Sequence, residues 1–456
     1  MIDAIPFLML GLLALLLFSG LPVAVVLSGV GVLFCLVGIA IGEMPWIALY
    51  NIAPKLIYAI NGTPYYPGVV MLLFMGVALE KSGIALDMLR ILRLLLRWLP
   101  GGLAVAVLFI GVLFAPAAGV VGASVVTLSL IALPAMLADG YRPSTASGTV
   151  AAAGTVGIIL PPAIMLFFLA GQFHVPFGSM FMSTIAPVGI LVCLYLVHAI
   201  FGAWRAGIRP VTANEARPAN TAAWLGLVFR GLVLPFALIA LVLAAVMAGW
   251  ATPSQAGAVG ALGGLILIAI SGRLSWPLFK DLVHTTADLS AMVFFIIIAA
   301  AVFSYPFRYF GGDTAIADAL ASLGLGPWPL LFMFVGIVFL LGFFIDWIEI
   351  TVITLPLFTP ALLKMDFSAH VGGGANMVVW MAALTALVLQ TSFLTPPFGF
   401  ALFFLKGSAP PGVRLVDIYR GILPILVFQI IVIGLVLAKP EIVLWLPRLV
   451  YGNPSA

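Results

Sequence analysis

The sequence predicts an all-α polytopic membrane protein of inverted-repeat architecture, with two re-entrant helical hairpins, discontinuous helices and about 11 to 13 spans. Three observations predict it. Of its 456 residues 64% are hydrophobic and only 7% charged, with a mean hydropathy of +1.29. Two apolar runs, Leu103 to Leu137 and Trp328 to Lys364, are too long to cross once. A proline-interrupted motif occurs twice, in matching company.

The composition excludes a soluble globule, in which about a quarter of residues carry charge. No soluble domain fits between the expected spans and no phosphate-binding GxxxxGK[ST] loop appears, so any capture module or ATPase motor is expected on another polypeptide. The net charge of +4 comes from cationic loops. Basic residues at span ends mark the cytoplasmic side, not a nucleic-acid surface. Cys35 and Cys193 each stand alone in an apolar run and read as buried, inert thiols. The start carries Asp3 instead of a positive n-region and lacks a convincing cleavage site, so it reads as an uncleaved first span.

Along the chain, Ile5 to Gly20 and Leu21 to Ile41 are two apolar runs joined at Ser19-Gly20-Leu21-Pro22. From Trp46 to Glu80, Pro54, Lys55, Asn61, Gly62, Thr63, Pro64 and Pro67 separate two flanks too short to cross alone, which suggests a re-entrant hairpin. Then Asp87, Arg90, Arg93 and Arg97 fall at three- and four-residue spacing against leucine and isoleucine, the pattern of an interfacial helix. Leu103 to Leu137 has a soft centre from Ala115 to Ser124 and should break there. Two crossings return Arg142 to the side of Arg97.

Beyond Ser144, Pro161-Pro162 must interrupt a helix and free backbone carbonyls. Met180 to Phe201 is a plain span, and the polar loop with Arg205, Arg209 and Arg217 is the midpoint. Leu225 to Gly249 and Ala258 to Ile270 are spans, and His284 to Gly312 reads as a second hairpin. The Trp328 to Lys364 run would be about 55 Å long as one helix, against roughly 30 Å of hydrocarbon, so it breaks or doubles back. It carries Asp346 and Glu349. Acids in hydrocarbon normally face a cavity, an ion or a partner; a turn at the membrane surface would leave both simply solvated. Ile418 to Leu437 is the last span, followed by an interfacial tail with Trp445 and Arg448.

The repeat is visible in LPPAIMLFFLAG at 160–171 and TPPFGFALFFLKG at 395–407, and in LPAML at 133–137 and TPALL at 359–363. The expected division is 1–45 N-terminal scaffold, 46–172 first repeat and 173–283 central scaffold with a cytoplasmic loop at 203–223. A second repeat at 284–410 and a C-terminal span and tail at 411–456 complete it. Duplicated discontinuous helices point to a secondary transporter with its site at the repeat interface.

On GVVGASVVTLSLIALPAMLADGYRPSTASGTVAAAGTVGIILPP, GWATPSQAGAVGAL, GFFIDWIEITVITLPLF and LQTSFLTPPFGFALFFLKGSAP, the chain from about Ile5 to Pro447 resembles the large membrane subunit of tripartite ATP-independent periplasmic (TRAP) transporters. The last two stretches look like the branch associated with 2-oxo acid, mannitol-type and haloaromatic acid uptake. The resemblance implies a sodium-driven importer of the bacterial inner membrane that works as an elevator and is not an enzyme. It also implies two separate partners, a small four-helix membrane subunit and a periplasmic substrate-binding protein, and no cofactor besides sodium as coupling ion.

Carried over residue by residue, the resemblance singles out Gly119, Gly122 and Ser124 in the first half and Asp346, Thr351, Thr391, Ser392 and Thr395 in the second as sodium ligands. Hydroxyls, freed carbonyls and one carboxylate suit that ion; isolated Ser and Thr in membrane helices also bond their own backbone. The hairpins and proline breaks make Asn61, Thr63, Pro161, Pro162, Pro396 and Pro397 the substrate-binding candidates for a small organic acid. Arg308, the one arginine of the second expected hairpin, joins them unless it snorkels to the interface. A binding-protein-independent carrier of the same superfamily is the alternative. An intramembrane enzyme is disfavoured, since His174, His198, His284 and His370 are scattered and no HExxH or Gly-x-Ser-x-Gly occurs.

Overall fold

The structure is a computed structural model and describes residues 4–17, 19–118, 121–208, 220–396 and 399–452. Among these residues the chain is helical throughout, with no strand. The first half comprises α1 (Ile5–Leu17), α2 (Val23–Ala40), α3 (Ile47–Tyr50), α4 (Ile52–Asn61), α5 (Tyr66–Lys81), α6 (Ile84–Leu95), α7 (Gly102–Ala118), α8 (Val121–Ala138), α9 (Pro143–Val156), α10 (Ile164–Phe173) and α11 (Phe177–Arg205). After the midpoint follow α12 (Thr221–Val228), a π turn at Phe229–Val233, α13 (Leu234–Met247), α14 (Pro253–Ile270), α15 (Trp276–Tyr309) and α16 (Gly312–Ser322). The rest is α17 (Pro327–Leu341), α18 (Trp347–Leu362), α19 (Ser368–Val371), α20 (Gly374–Ser392), α21 (Phe400–Ser408), α22 (Leu415–Ala438) and α23 (Glu441–Tyr451).

Eight of the described helices are long and apolar enough to cross a membrane, or up to 10 if each bent pair is one span. The expected 11 to 13 is reached only by adding some of the four apolar helices of 10–17 residues. Helix starts follow local chemistry. Thr252 and Gln255 form a reciprocal capping box at α14, with Pro253 in its first turn, where a missing N–H costs nothing. The α6 arm buries Ile84, Met88, Ile91 and Leu92; of the charged stripe Arg90 and Arg97 are exposed, while Asp87 and Arg93 are half-buried in ion pairs with Arg273 and Asp139. Cys35 is buried as expected; Cys193 is exposed, because it falls on the outer face of α11.

Two helical hairpins are present, one element later in each half than the sequence suggests. Gly111 of α7 lies against Ala153, and Val125 of α8 lies against Gly154. Positions 111 and 125 would be about 21 Å apart on a straight helix, so meeting adjacent residues of α9 requires α7 and α8 to double back. Phe334 and Phe358, with ring centroids 5.8 Å apart, show the same for α17 and α18. The expected hairpin at 46–80 is instead a pair bent by 57° between Asn61 and Tyr66, because Pro67 starts α5 instead of turning the chain. The expected hairpin at 284–312 is part of the continuous α15, which runs through Pro306. Pro306 sits in its last turn, where only one upstream carbonyl loses its amide.

The order long helix, short arm, hairpin and broken helix therefore occurs twice, as α5, α6, α7–α8, α9–α10 and as α15, α16, α17–α18, α20–α21. The halves interlock reciprocally: α10 packs on the α17–α18 hairpin through α18, and α21 on the α7–α8 hairpin through α8. Likewise α22 packs on α9 and α11 on α20.

The α9–α22 crossing brings backbone against backbone. A Cβ at Gly421 would lie 2.0 Å from the Ser144 carbonyl oxygen, and one at Gly148 would lie 2.2 Å from that of Gly421. Gly421→Leu is therefore expected to destabilise the protein by about 1–3 kcal/mol through overpacking, read as a lowered Tm in detergent. Gly434→Leu on the same helix, with nothing within 4 Å, should leave Tm unchanged.

Basic residues gather at one end. Arg93 pairs with Asp139 at 2.6 Å, Arg273 with Asp87 at 2.7 Å, and Gly101 abuts Ala203 two residues before Arg205. By the positive-inside rule this is the end expected to face the cytoplasm. The α4–α5 bend lies at the opposite end of α14, where the Ser254 hydroxyl donates to the Pro64 carbonyl at 2.8 Å.

Candidate functional site

Asp346 is the N-cap of α18, set after the turn that closes the second hairpin. Its carboxylate accepts the Trp347 amide at 2.8 Å, and the Asp346 amide donates to Glu349 Oε2 at 2.6 Å. The two acids thus form a reciprocal capping box that satisfies helix-start donors. Glu349 is 7% exposed and Asp346 half-buried, which rules out a pair solvated on the surface. The D-x-x-E spacing carried this signal.

The turn seats on the break of the second discontinuous helix. Gly342 is so close to α20 that a Cβ there would lie 1.9 Å from Ser392 Oγ. Thr391, Ser392 and Thr395 gather at that break. Thr391 Oγ1 donates to the Leu387 carbonyl at 2.8 Å, Ser392 Oγ to Leu389 at 2.7 Å and Thr395 Oγ1 to Thr391 at 2.9 Å. Thr351 Oγ1 donates to Trp347 at 2.7 Å. Each hydroxyl has its proton committed to a backbone carbonyl and keeps oxygen lone pairs for a cation. Beyond the break the Ala401 amide donates back to the Phe393 carbonyl at 3.2 Å.

Pro161 and Pro162 are buried in the first break, where α9 and α10 bend by 43°. Neither can donate to the carbonyl four residues earlier, and Gly157 accepts instead from Leu160 at 3.1 Å. The α10 helix starts just after this pair and α21 just after the second.

A chain of rings that sequence reasoning missed joins these parts. Trp347 contacts Phe168 at 5.4 Å between centroids, and Phe168 contacts Tyr66 at 5.9 Å and Tyr65 at 6.4 Å. It runs from the Asp346 turn to the α4–α5 bend that holds Asn61 and Thr63. The Trp347 Nε1 is buried with no hydrogen-bond partner among the described residues.

Other predicted residues lie elsewhere. Gly122 packs under the Phe404 ring of α21, 2.9 Å from where its Cβ would be. Ser124 lines a separate small cavity with Glu80 and Thr127, whose side chains share a 2.6 Å hydrogen bond. Asn61 is exposed and lines an open groove with Pro54 and Tyr58. Arg308 is exposed and paired with Asp313 at 3.3 Å. Pro396 is half-buried at the second break. Gly119 and Pro397 lie outside the described residues.

Among the described residues no group of three or more His, Cys, Asp or Glu could hold a metal, and the donors at hand are carboxylate, hydroxyl and carbonyl oxygens, which suit a hard monovalent cation.

The sequence model of the family described as "Tripartite ATP-independent periplasmic transporter, DctM component" matches residues 10–442. The isethionate TRAP transporter permease protein DctMQ of Oleidesulfovibrio alaskensis is 28% identical over 97% of this chain, which spans 66% of that relative's length. The C4-dicarboxylate TRAP transporter large permease protein DctM of Vibrio cholerae is 26% identical, with 95% of each chain covered. Among solved structures, the Alcanivorax borkumensis YdaH transporter, described as having an unusual topology, superposes with a TM-score of 0.64 at 17% identity. It covers 92% of this chain and 99% of its own, which shows the fold alone. The chain belongs to the DctM family, the large membrane subunits of TRAP transporters, and is a multi-pass protein of the bacterial inner membrane rather than an enzyme.

Proposed function

We propose that the protein imports a small organic acid by coupling its uptake to sodium, receiving the acid from a periplasmic substrate-binding protein. The observation that carries this reading is the seating of the Asp346 turn on the Ser392 break. It gathers one carboxylate, several hydroxyl oxygens and interrupted backbone at the interface of two reciprocally packed repeats. Such interfaces near the midplane house substrate and ion in inverted-repeat carriers.

The ion is cargo here, and Asp346, Thr351, Thr391, Ser392 and Thr395 are its proposed ligands. The substrate carboxylate is met by the free first amides of α10 and by the unpartnered Trp347 indole N–H. The two repeats, 46–172 and 284–410, move together as an elevator against 1–45, 173–283 and 411–456. A small four-helix membrane subunit completes the complex, in keeping with the tripartite make-up of the family.

The test is uptake of labelled C4-dicarboxylates, 2-oxo acids and haloaromatic acids into proteoliposomes that hold the complex. Uptake is expected only with an inward sodium gradient and with the binding protein present. Undiminished uptake with potassium in place of sodium would overturn the coupling. Uptake without the binding protein would favour a self-sufficient carrier.

A further inference from the structure

At the cytoplasmic end, the π turn at Phe229–Val233 reshapes the helix that carries Arg230. π turns insert an extra residue and recur at functional sites. Gly231 in this turn presses on the α6 arm, where a Cβ would come within 2.7 Å of Ile91 Cδ1 and 3.4 Å of Asp87 Cβ. Beside that contact a crevice of about 390 Å³ opens between the arm, the π turn and the loop after α14, with Asp87, Arg230, Ser271 and Arg273 on its walls. Arg273 is held in place, bonded to Asp87 Oδ2 at 2.7 Å and to the Ser82 carbonyl at 2.8 Å. Arg230 has no hydrogen-bond or ion-pair partner among the described residues.

We propose that this crevice binds a phosphate-bearing anion, and that in the membrane the anion is the phosphodiester headgroup of an anionic phospholipid. Two guanidiniums face one carboxylate, so the crevice keeps a net positive charge that Asp87 does not cancel. Guanidinium forks match phosphate geometry, and basic pockets between helices on the cytoplasmic side suit anionic headgroups. The exposed Phe229 and Leu225 beside Arg230 offer acyl chains an apolar wall. A headgroup there bridges α6, which leads into the first hairpin, to the α13–α14 pair.

Native mass spectrometry of the purified protein tests this, with phosphatidylglycerol, phosphatidylcholine or inorganic phosphate added in turn. The wild type is expected to retain phosphatidylglycerol over phosphatidylcholine, and Arg230→Gln to lose that retention by roughly fivefold or more, the effect of removing one basic residue from a headgroup site. Arg205→Gln, on the same end but outside the crevice, should retain it as the wild type does. Equal retention by Arg230→Gln overturns the proposal, since general attraction to the basic end would then suffice. Arg230-dependent binding of inorganic phosphate without phosphatidylglycerol retention overturns the lipid as occupant and leaves a soluble phosphate.

Discussion

Gly342→Ala is expected to cut sodium-dependent uptake at least about tenfold, a loss of about 1.4 kcal/mol or more. The backbone at Gly342 is ordinary right-handed helix, φ −65 and ψ −6, so alanine meets no conformational penalty and the effect is one of space alone. The new methyl would fall 1.9 Å from Ser392 Oγ and 2.4 Å from its Cβ. Ser392 is fully buried and cannot swing away, so the hairpin turn must lift off the break and take Asp346 with it. A second substitution separates space from chemistry. Gly342→Ala with Ser392→Gly should recover the wild-type Tm, because the clash is gone, yet keep weakened sodium dependence, because one hydroxyl ligand is gone too. Such non-additivity is expected of residues in contact. Uptake rates against sodium concentration, with Tm measured alongside, check both.

Asp346→Asn is expected to abolish sodium-driven uptake while leaving the fold intact. Asn is as good an N-cap as Asp, so its side-chain oxygen still accepts the Trp347 amide and Glu349 still reaches the backbone of residue 346. What is lost is one negative charge in a half-buried turn where the other proposed ligands are neutral. Asp346→Ala differs: it removes the cap as well and should cost about 1 kcal/mol of stability. Near-wild-type Tm for Asn with lost uptake, and lowered Tm for Ala, form the predicted pattern.

The parts of the site differ in how readable they were. Length alone showed that 103–137 and 328–364 could not be single crossings, and both double back. The twin Pro-Pro and Leu-Phe-Phe-Leu motifs correctly marked matching segments, since a proline removes a donor wherever the chain goes. Polar and proline residues misled at 46–80 and 284–312. Pro67 begins a helix and Pro306 sits in a last turn, and neither position forces a reversal. The contacts of Gly342 with Ser392 and of Trp347 with Phe168 and Tyr66 join residues far apart in the chain, so no local spacing records them. Arg308 stood out in the sequence as the one arginine of its stretch, and the structure pairs it with Asp313, five residues on.

The most direct measurement is equilibrium binding of radiolabelled sodium to the purified complex, wild type against Asp346→Asn. The account predicts saturable binding to the wild type, weakened at least about tenfold in the variant with Tm unchanged. Wild-type affinity in Asp346→Asn, or no saturable sodium binding to the wild type, would contradict it.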